Sequence, residues 1–142
     1  MHVQEFMTRN PHGIQANDTC QHAAEQLRRH NVGALPVFEY DRLIGMVTDR
    51  DLVSGCMAAG HDASHCAVKQ HMTADPVTIG PGASLDEALA KMADEQVRRL
   101  IVMEDDHIAG IISLGDLAVR SPGTPQVAHT LTEISQPVRV PV

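Results

Sequence analysis

The sequence predicts an α/β (α+β) protein built from two copies of one βαββα unit. Three observations carry this prediction. The 142-residue chain matches itself without a gap at a shift of 65 positions. Each copy sets short apolar stretches around one helical stripe. The turn residues between those stretches recur in register.

The self-match runs through punctuating and apolar positions alike. Met7-Thr8 and Pro11 fall on Met72-Thr73 and Pro76, Ile14 on Ile79, and Ala23 on Ala88. Val32, Leu35, Val37 and Glu39 fall on Val97, Leu100, Val102 and Glu104. Gly45 falls on Gly110, and Asp51-Leu52 on Asp116-Leu117.

Each copy reads in the same order. A short strand follows the proline, over Gly13-Ile14-Gln15 and Val77-Thr78-Ile79. A helix comes next. In the second copy Ser84 and Glu87 form a capping box, and Leu85, Ala88, Leu89 and Met92 recur at helical spacing. In the first copy Thr19 is the N-cap, with Cys20, Ala23, Ala24 and Leu27 as the stripe. Two strands follow, 34–38 and 43–47, then 99–103 and 108–112, joined by turns at Tyr40-Asp41-Arg42 and Asp105-Asp106-His107. A last helix starts at Thr48 or Ser113, both good N-caps. A copy of about 50 residues cannot cover its own apolar surface. The two are therefore expected to pack sheet against sheet about a pseudo-twofold axis.

The expected division is 1–57 as the first repeat, 58–71 as linker, 72–120 as the second repeat and 121–142 as a tail. That tail holds a short helix, 127–134, between Ser121-Pro122-Gly123 and Pro137.

Composition bounds the function. Hydrophobic residues make up 43% and aromatics 2%, so the core is built from small aliphatic side chains. With 18 acidic residues against 11 Lys and Arg, the net charge of −7 argues against a nucleic-acid partner. A single phosphate group is still within reach of a local cation or a helix N-terminus. No apolar run approaches the ~20 residues that cross a bilayer. The start, Met1 to Glu5, lacks the regions of a signal peptide. The expectation is a cytoplasmic protein with no membrane partner.

The runs Gly45-Met46-Val47-Thr48-Asp49-Arg50-Asp51 and Gly110-Ile111-Ile112-Ser113-Leu114-Gly115-Asp116 share one pattern: glycine, two apolar residues, a hydroxyl residue, and an aspartate three further on. Placed after two strands in a repeat of this length, they resemble the ribose-binding signature of CBS domains. The runs 32–37 and 97–102 resemble that family's preceding strand. The resemblance covers roughly residues 3 to 120 and is similar to stand-alone bacterial CBS-pair proteins. It implies two CBS repeats packed into one Bateman module. Such a module senses adenine nucleotides and often forms flat dimers.

The residues themselves support that chemistry. Thr48 and Ser113 sit where a strand enters a helix, whose N-terminus offers free N–H donors and partial positive charge to phosphate. An aspartate three residues on can accept from both ribose hydroxyls.

The resemblance implies two clefts. The main one combines Ser113, Gly115, Asp116, Arg98 and Arg99 with Thr8, Pro11, His12, Ile14 and Val32. Ile14 and Val32 would sandwich a base, and one arginine would meet phosphate. Strand period puts Arg98 and Arg99 on opposite faces, so at most one points inward. The second cleft combines Thr48, Arg50, Asp51 and Ala34 with Thr73, Pro76, Val77, Ile79 and Val97. There Gly33-Ala34 replaces the arginine pair, so the Asp116 cleft ranks first.

Other features have plainer readings. Arg28-Arg29 reads as solvated. His61, His65, Cys66 and His71 match no established zinc spacing, so no metal is expected. Cys20 and Cys56 read as packed, unreactive thiols with no basic or His partner beside them. No P-loop, nucleophile elbow or nucleophile–base pair is present, so an enzyme is not expected. The expected function is a regulatory module for an adenosyl ligand (AMP, ADP or ATP-like) acting as a homodimer or through a regulated protein. The alternative is an interaction scaffold with empty nucleotide clefts.

Overall fold

The computed structural model describes residues 1–120 and 125–136. The Ser121-Pro122-Gly123 stretch and Pro137 lie outside the described residues. The chain divides into two compact units, Pro11–Pro76, and Met1–Asn10 with the chain from Val77 onward. The architecture is mixed α/β with two four-stranded sheets.

In the unit Pro11–Pro76, strand β2 (Ile14–Gln15) leads to helix α1 (Cys20–His30), then to β3 (Ala34–Glu39) and β4 (Arg42–Thr48). A helical segment follows, π-helical over Asp51–Met57, then 3-10 turns at Ala63–His65 and Val68–Gln70, and last β5 (Thr73–Ala74). The sheet order is β2-β3-β4-β5, with β2 parallel to β3 and the other pairs antiparallel. Ile14, Ala23, Leu27, Leu35, Val37, Val47 and Val68 form its core.

The other unit repeats the plan. It contains β6 (Thr78–Ile79), α2 (Leu85–Glu95), β7 (Arg99–Glu104), β8 (His107–Ser113) and α3 (Leu114–Arg120). Its outer strand β1 (Thr8–Arg9) comes from the N-terminal segment, giving the order β1-β8-β7-β6. A last helix, α4 (Pro125–Ile134), packs against its core of Ala88, Leu89, Met92, Leu100, Val102, Ile112 and Leu117 through Val127 and Ile134.

The duplication extends to backbone detail. Left-handed residues occur at Asn10 and Asp75, Asn31 and Gln96, Tyr40 and Asp105, each pair in repeat register. Register shifts also fall at equivalent places, Val37/Phe38 and Val102/Met103.

Three expectations need correction. The sequence shows one strand before each helix, whereas β1 and β5 add a fourth strand to each sheet. A two-residue strand carries no readable period, and its pairing is remote in sequence. Gly45 and Gly110 accommodate these strands. A Cβ on Gly110 would lie 2.5 Å from the Thr8 carbonyl oxygen, and one on Gly45 would lie 2.7 Å from that of Thr73.

Second, Ala24 is exposed rather than part of the α1 stripe, which is Cys20, Ala23 and Leu27. Its repeat equivalent, Leu89, is buried because α4 lies over α2, where the Thr130 hydroxyl donates to the Leu89 carbonyl oxygen at 3.3 Å. Third, only the Ser84 half of the expected capping box is seen among the described residues, with Ser84 Oγ accepting from the Glu87 N–H at 3.1 Å. Thr19 caps α1 in the same way through the His22 N–H at 3.0 Å.

Candidate functional site

Both signature turns close as local caps. Thr48 Oγ1 accepts from the Asp51 N–H at 3.1 Å, and the Thr48 N–H donates to Asp51 Oδ2 at 2.9 Å. Ser113 Oγ accepts from the Asp116 N–H at 3.0 Å. Among the described residues, none donates a hydrogen bond to the Asp116 carboxylate. The aspartates are half-buried, each in the first turn after a strand. The two helices differ: α3 is α-helical, whereas Asp51–Met57 has the wider π spacing, with the Ala58 N–H donating to the Val53 carbonyl oxygen at 2.9 Å.

The second unit brings together Thr8, Arg98, Arg99, Ser113, Gly115 and Asp116. Arg99 pairs with Ser113 across β7 and β8, and the Leu114 N–H donates to the Arg98 carbonyl oxygen at 2.8 Å. Thr8 lies opposite Ile111, two residues before Ser113. Arg98, in the bend before β7 rather than in the strand as expected, is exposed, and Arg99, the first residue of β7, is half-buried.

The first unit holds the equivalent group. Ala34 pairs with Thr48, the Asp49 N–H donates to the Gly33 carbonyl oxygen at 3.1 Å, and Thr73 lies opposite Met46. Arg50 is exposed, Ala34 buried and Pro76 half-buried.

The remaining expected site residues divide between the units. Pro11, His12, Ile14 and Val32 belong to Pro11–Pro76, and Val77, Ile79 and Val97 to the other unit. Ile14 is only 3% exposed within its own core, whereas Val32 is 43% exposed. Val77, Ile79 and Val97 are half-buried against the other core. The His12 ring stacks on His30, with centroids 3.5 Å apart. Desolvation, then the His12 and Arg29 charges, hold His30 below the ordinary histidine pKa.

A second cluster was legible in the sequence only in part, through Cys66 and His71. Cys20, Cys56, Cys66 and His71 converge so that their ligating atoms all lie within 4.8 Å of one another. They come from four segments: the start of α1, the π-helical segment, the residue after the first 3-10 turn and the residue after the second. Cys66 Sγ lies 3.0 Å from His71 Nε2. His61 Nδ1 stands beside them, 3.6 Å from Cys66 Sγ and 3.3 Å from His71 Nε2. His65 instead bonds Asp62 and Ser64. Burial pushes the Cys20 thiol up to about 12, and the Cys56 and Cys66 sulfurs add to this. Burial also raises Cys66.

This overturns the reading of Cys20 and Cys56 as thiols without a histidine neighbour. One signal was available. At the repeat shift, Cys20, Cys56, Cys66 and His71 fall on Leu85, Ser121, Leu131 and Gln136, so the four donors belong to one copy alone.

Comparisons with known proteins agree with the duplicated fold. The family model of the CBS domain matches residues 3–57 and 68–123. The CBS domain-containing protein YhcV of Bacillus subtilis is 38% identical over 133 residues, 94% of each chain. Hypoxic response protein 1 of Mycobacterium tuberculosis is 36% identical over 107 residues, 75% of each chain. The crystal structure of Hypoxic Response Protein I with two coordinated zinc ions matches with a TM-score of 0.76 at 32% identity. It covers 86% of this chain and 100% of that one. A CBS domain pair in complex with 5′-methylthioadenosine and S-adenosyl-L-methionine matches with a TM-score of 0.77 at 22% identity, covering 87% of this chain and 97% of that one.

Proposed function

Because this chain belongs to the CBS domain family, carrying two such domains in tandem, we propose that it is a regulatory module that binds an adenosyl ligand, with Asp116 as its ribose acceptor. The observation that carries this reading is the Ser113–Asp116 turn. A half-buried carboxylate there follows a capped helix start, and Arg99 is paired directly to Ser113.

In this reading the Asp116 oxygens accept from the two ribose hydroxyls. The hydroxyls of Ser113 and Thr8 and the Gly115 backbone line the sugar and phosphate path. A guanidinium from Arg98 or Arg99 meets the phosphate as a bidentate donor. Pro11, His12, Ile14 and Val32 belong to the other unit, where His12 and Val32 are exposed and Ile14 is buried in the core.

The Asp51 turn ranks second. One Asp51 oxygen already accepts from Thr48, and the arginine pair is replaced by Gly33-Ala34. There Arg50 is the cation offered by the same unit, with Thr73 and Pro76 as its further proposed members. A CBS pair of like fold has been solved with adenosyl ligands, which supports the ligand class. The activity proposed is binding and signalling, not catalysis, with a regulated protein as the further partner. Self-association as a homodimer is part of this proposal, and Val53 and Met57 are exposed on the helical segment after the first signature turn.

The test is a thermal-shift and calorimetric panel of AMP, ADP, ATP, NAD and S-adenosylmethionine. A ligand held by the native state alone at 100 times its Kd adds ~2.7 kcal/mol. A rise with one adenosyl compound, abolished in Asp116→Ala, is the expected result. A flat response across the panel overturns the reading in favour of an interaction scaffold. Light scattering of the free protein tests the dimer.

A further inference from the structure

We propose that the unit Pro11–Pro76 carries a structural zinc site in which Cys20, Cys56 and Cys66 supply thiolate sulfurs and His71 supplies Nε2. Three cysteines and one histidine form one of the donor sets that hold structural zinc tetrahedrally, with no position left open. With Zn–S bonds near 2.3 Å, such a site spaces its sulfurs about 3.8 Å apart. The donors here already lie within 4.8 Å of one another, so closure asks for shifts of about an ångström.

The surroundings fit a metal better than they fit packed thiols. Cys20, Cys56 and Cys66 are 1%, 2% and 5% exposed, which matches a closed site. The backbone holds two of them together independently of the side chains: the Cys20 N–H donates to the Cys66 carbonyl oxygen at 2.8 Å. The His71 ring is seated on bare backbone. A Cβ on Gly55 would stand 2.9 Å from His71 Nδ1, so the glycine makes room for the ring while Nε2 faces Cys66 Sγ. Cys56 sits on the π-helical segment, a local widening of a kind frequent at functional sites. The equivalent helix of the other unit, α3, is α-helical.

The two copies hold down their first helices differently. In the other unit, α4 covers α2 with Val127, Thr130 and Ile134. In this unit the segment 58–71 lies over the start of α1 and is poor in large apolar side chains: Val68 is buried, and the rest of its packing is alanine and cysteine. A segment that lacks the apolar area to hold itself down is where a metal serves as a staple. Zinc would tie α1, the π-helical segment and both 3-10 turns to one point.

The test uses the full chain purified without chelator under reducing conditions. Elemental analysis is expected to return about one zinc per chain. Cobalt added to metal-free protein should give the intense visible absorption of a tetrahedral site and the near-ultraviolet band of thiolate-to-cobalt charge transfer. The cysteines should resist alkylation until a strong chelator is added, and the chelator should lower the melting temperature. His71→Gln keeps the three thiols and tests the site where a cysteine variant fails to fold; it is expected to lose stoichiometric zinc and shift the cobalt spectrum. Protein that takes up neither zinc nor cobalt, with thiols freely alkylated or joined in a disulfide, overturns the proposal. So does zinc that His71→Gln and Cys66→Ser retain at full stoichiometry.

Discussion

Thr48 and Asp51 bond each other reciprocally, Thr48 Oγ1 accepting from the Asp51 N–H at 3.1 Å and Asp51 Oδ2 accepting from the Thr48 N–H at 2.9 Å. The same pair of residue types one repeat later, Ser113 and Asp116, shares the first of these bonds. One oxygen of the Asp51 carboxylate is therefore engaged at its own helix start, and that difference underlies the proposed ranking of the two turns.

Asp116→Ala should weaken adenosyl-ligand binding by about 10- to 100-fold, since hydrogen bonds to a charged acceptor contribute ~1.5–3 kcal/mol. Asp51→Ala should change that affinity little and instead lower stability by about 1 kcal/mol through its cap. Calorimetry and urea melts of both variants separate the effects; equal losses of affinity would remove the ranking.

Gly110→Ala should destabilise by roughly 1–3 kcal/mol, because the new methyl group meets the Thr8 carbonyl oxygen at 2.5 Å and Met7 Sδ at 2.8 Å. Gly80→Ala is the control. Nothing lies within 4 Å of its Cβ, so its stability should stay within about 1 kcal/mol of the parent. Denaturant midpoints at constant m-value decide between these outcomes.

Thr130→Val should loosen α4. It removes the 3.3 Å hydrogen bond to the Leu89 carbonyl oxygen while keeping the side chain's volume, a loss of about 1 kcal/mol. Amide exchange should rise in α4 and at the face of α2 beneath it, and stay unchanged in α1.

Stability should fall as pH drops below 6.5 through His30. Its folded-state pKa is lowered by desolvation, then by the His12 and Arg29 charges, so below 6.5 the unfolded chain binds the proton more readily. The loss grows until pH reaches the folded value and is constant beneath it. A histidine NMR titration should put His30 below 6.5, and His12→Asn should move it upward. An unchanged His30 in that variant would exclude the stacked pair as a contributor.

Much of the fold was written in local pattern. Thr19 and Ser84 capped helices where a hydroxyl residue preceded an apolar stripe, because a cap acts within one turn. Both hairpins and both signature turns fell in the expected places, because each is closed by residues a few positions apart. The strands and the first helix of each copy recur at a register of 65, whereas α4 has no α-helical counterpart in the other copy.

What the sequence by itself determined, then, is the duplicated plan: the helices and their caps, the hairpins, and the two aspartates set at helix starts. These follow from hydrogen bonds and side-chain periods that a short segment satisfies alone. The tertiary structure decided the rest. It put β1 and β5 on the sheets, buried Leu89 under α4 while leaving Ala24 exposed, and drew Cys20, Cys56, Cys66 and His71 into one cluster. Each of these joins residues tens of positions apart. Such contacts arise only where the core brings separate segments together, and no local spacing encodes them.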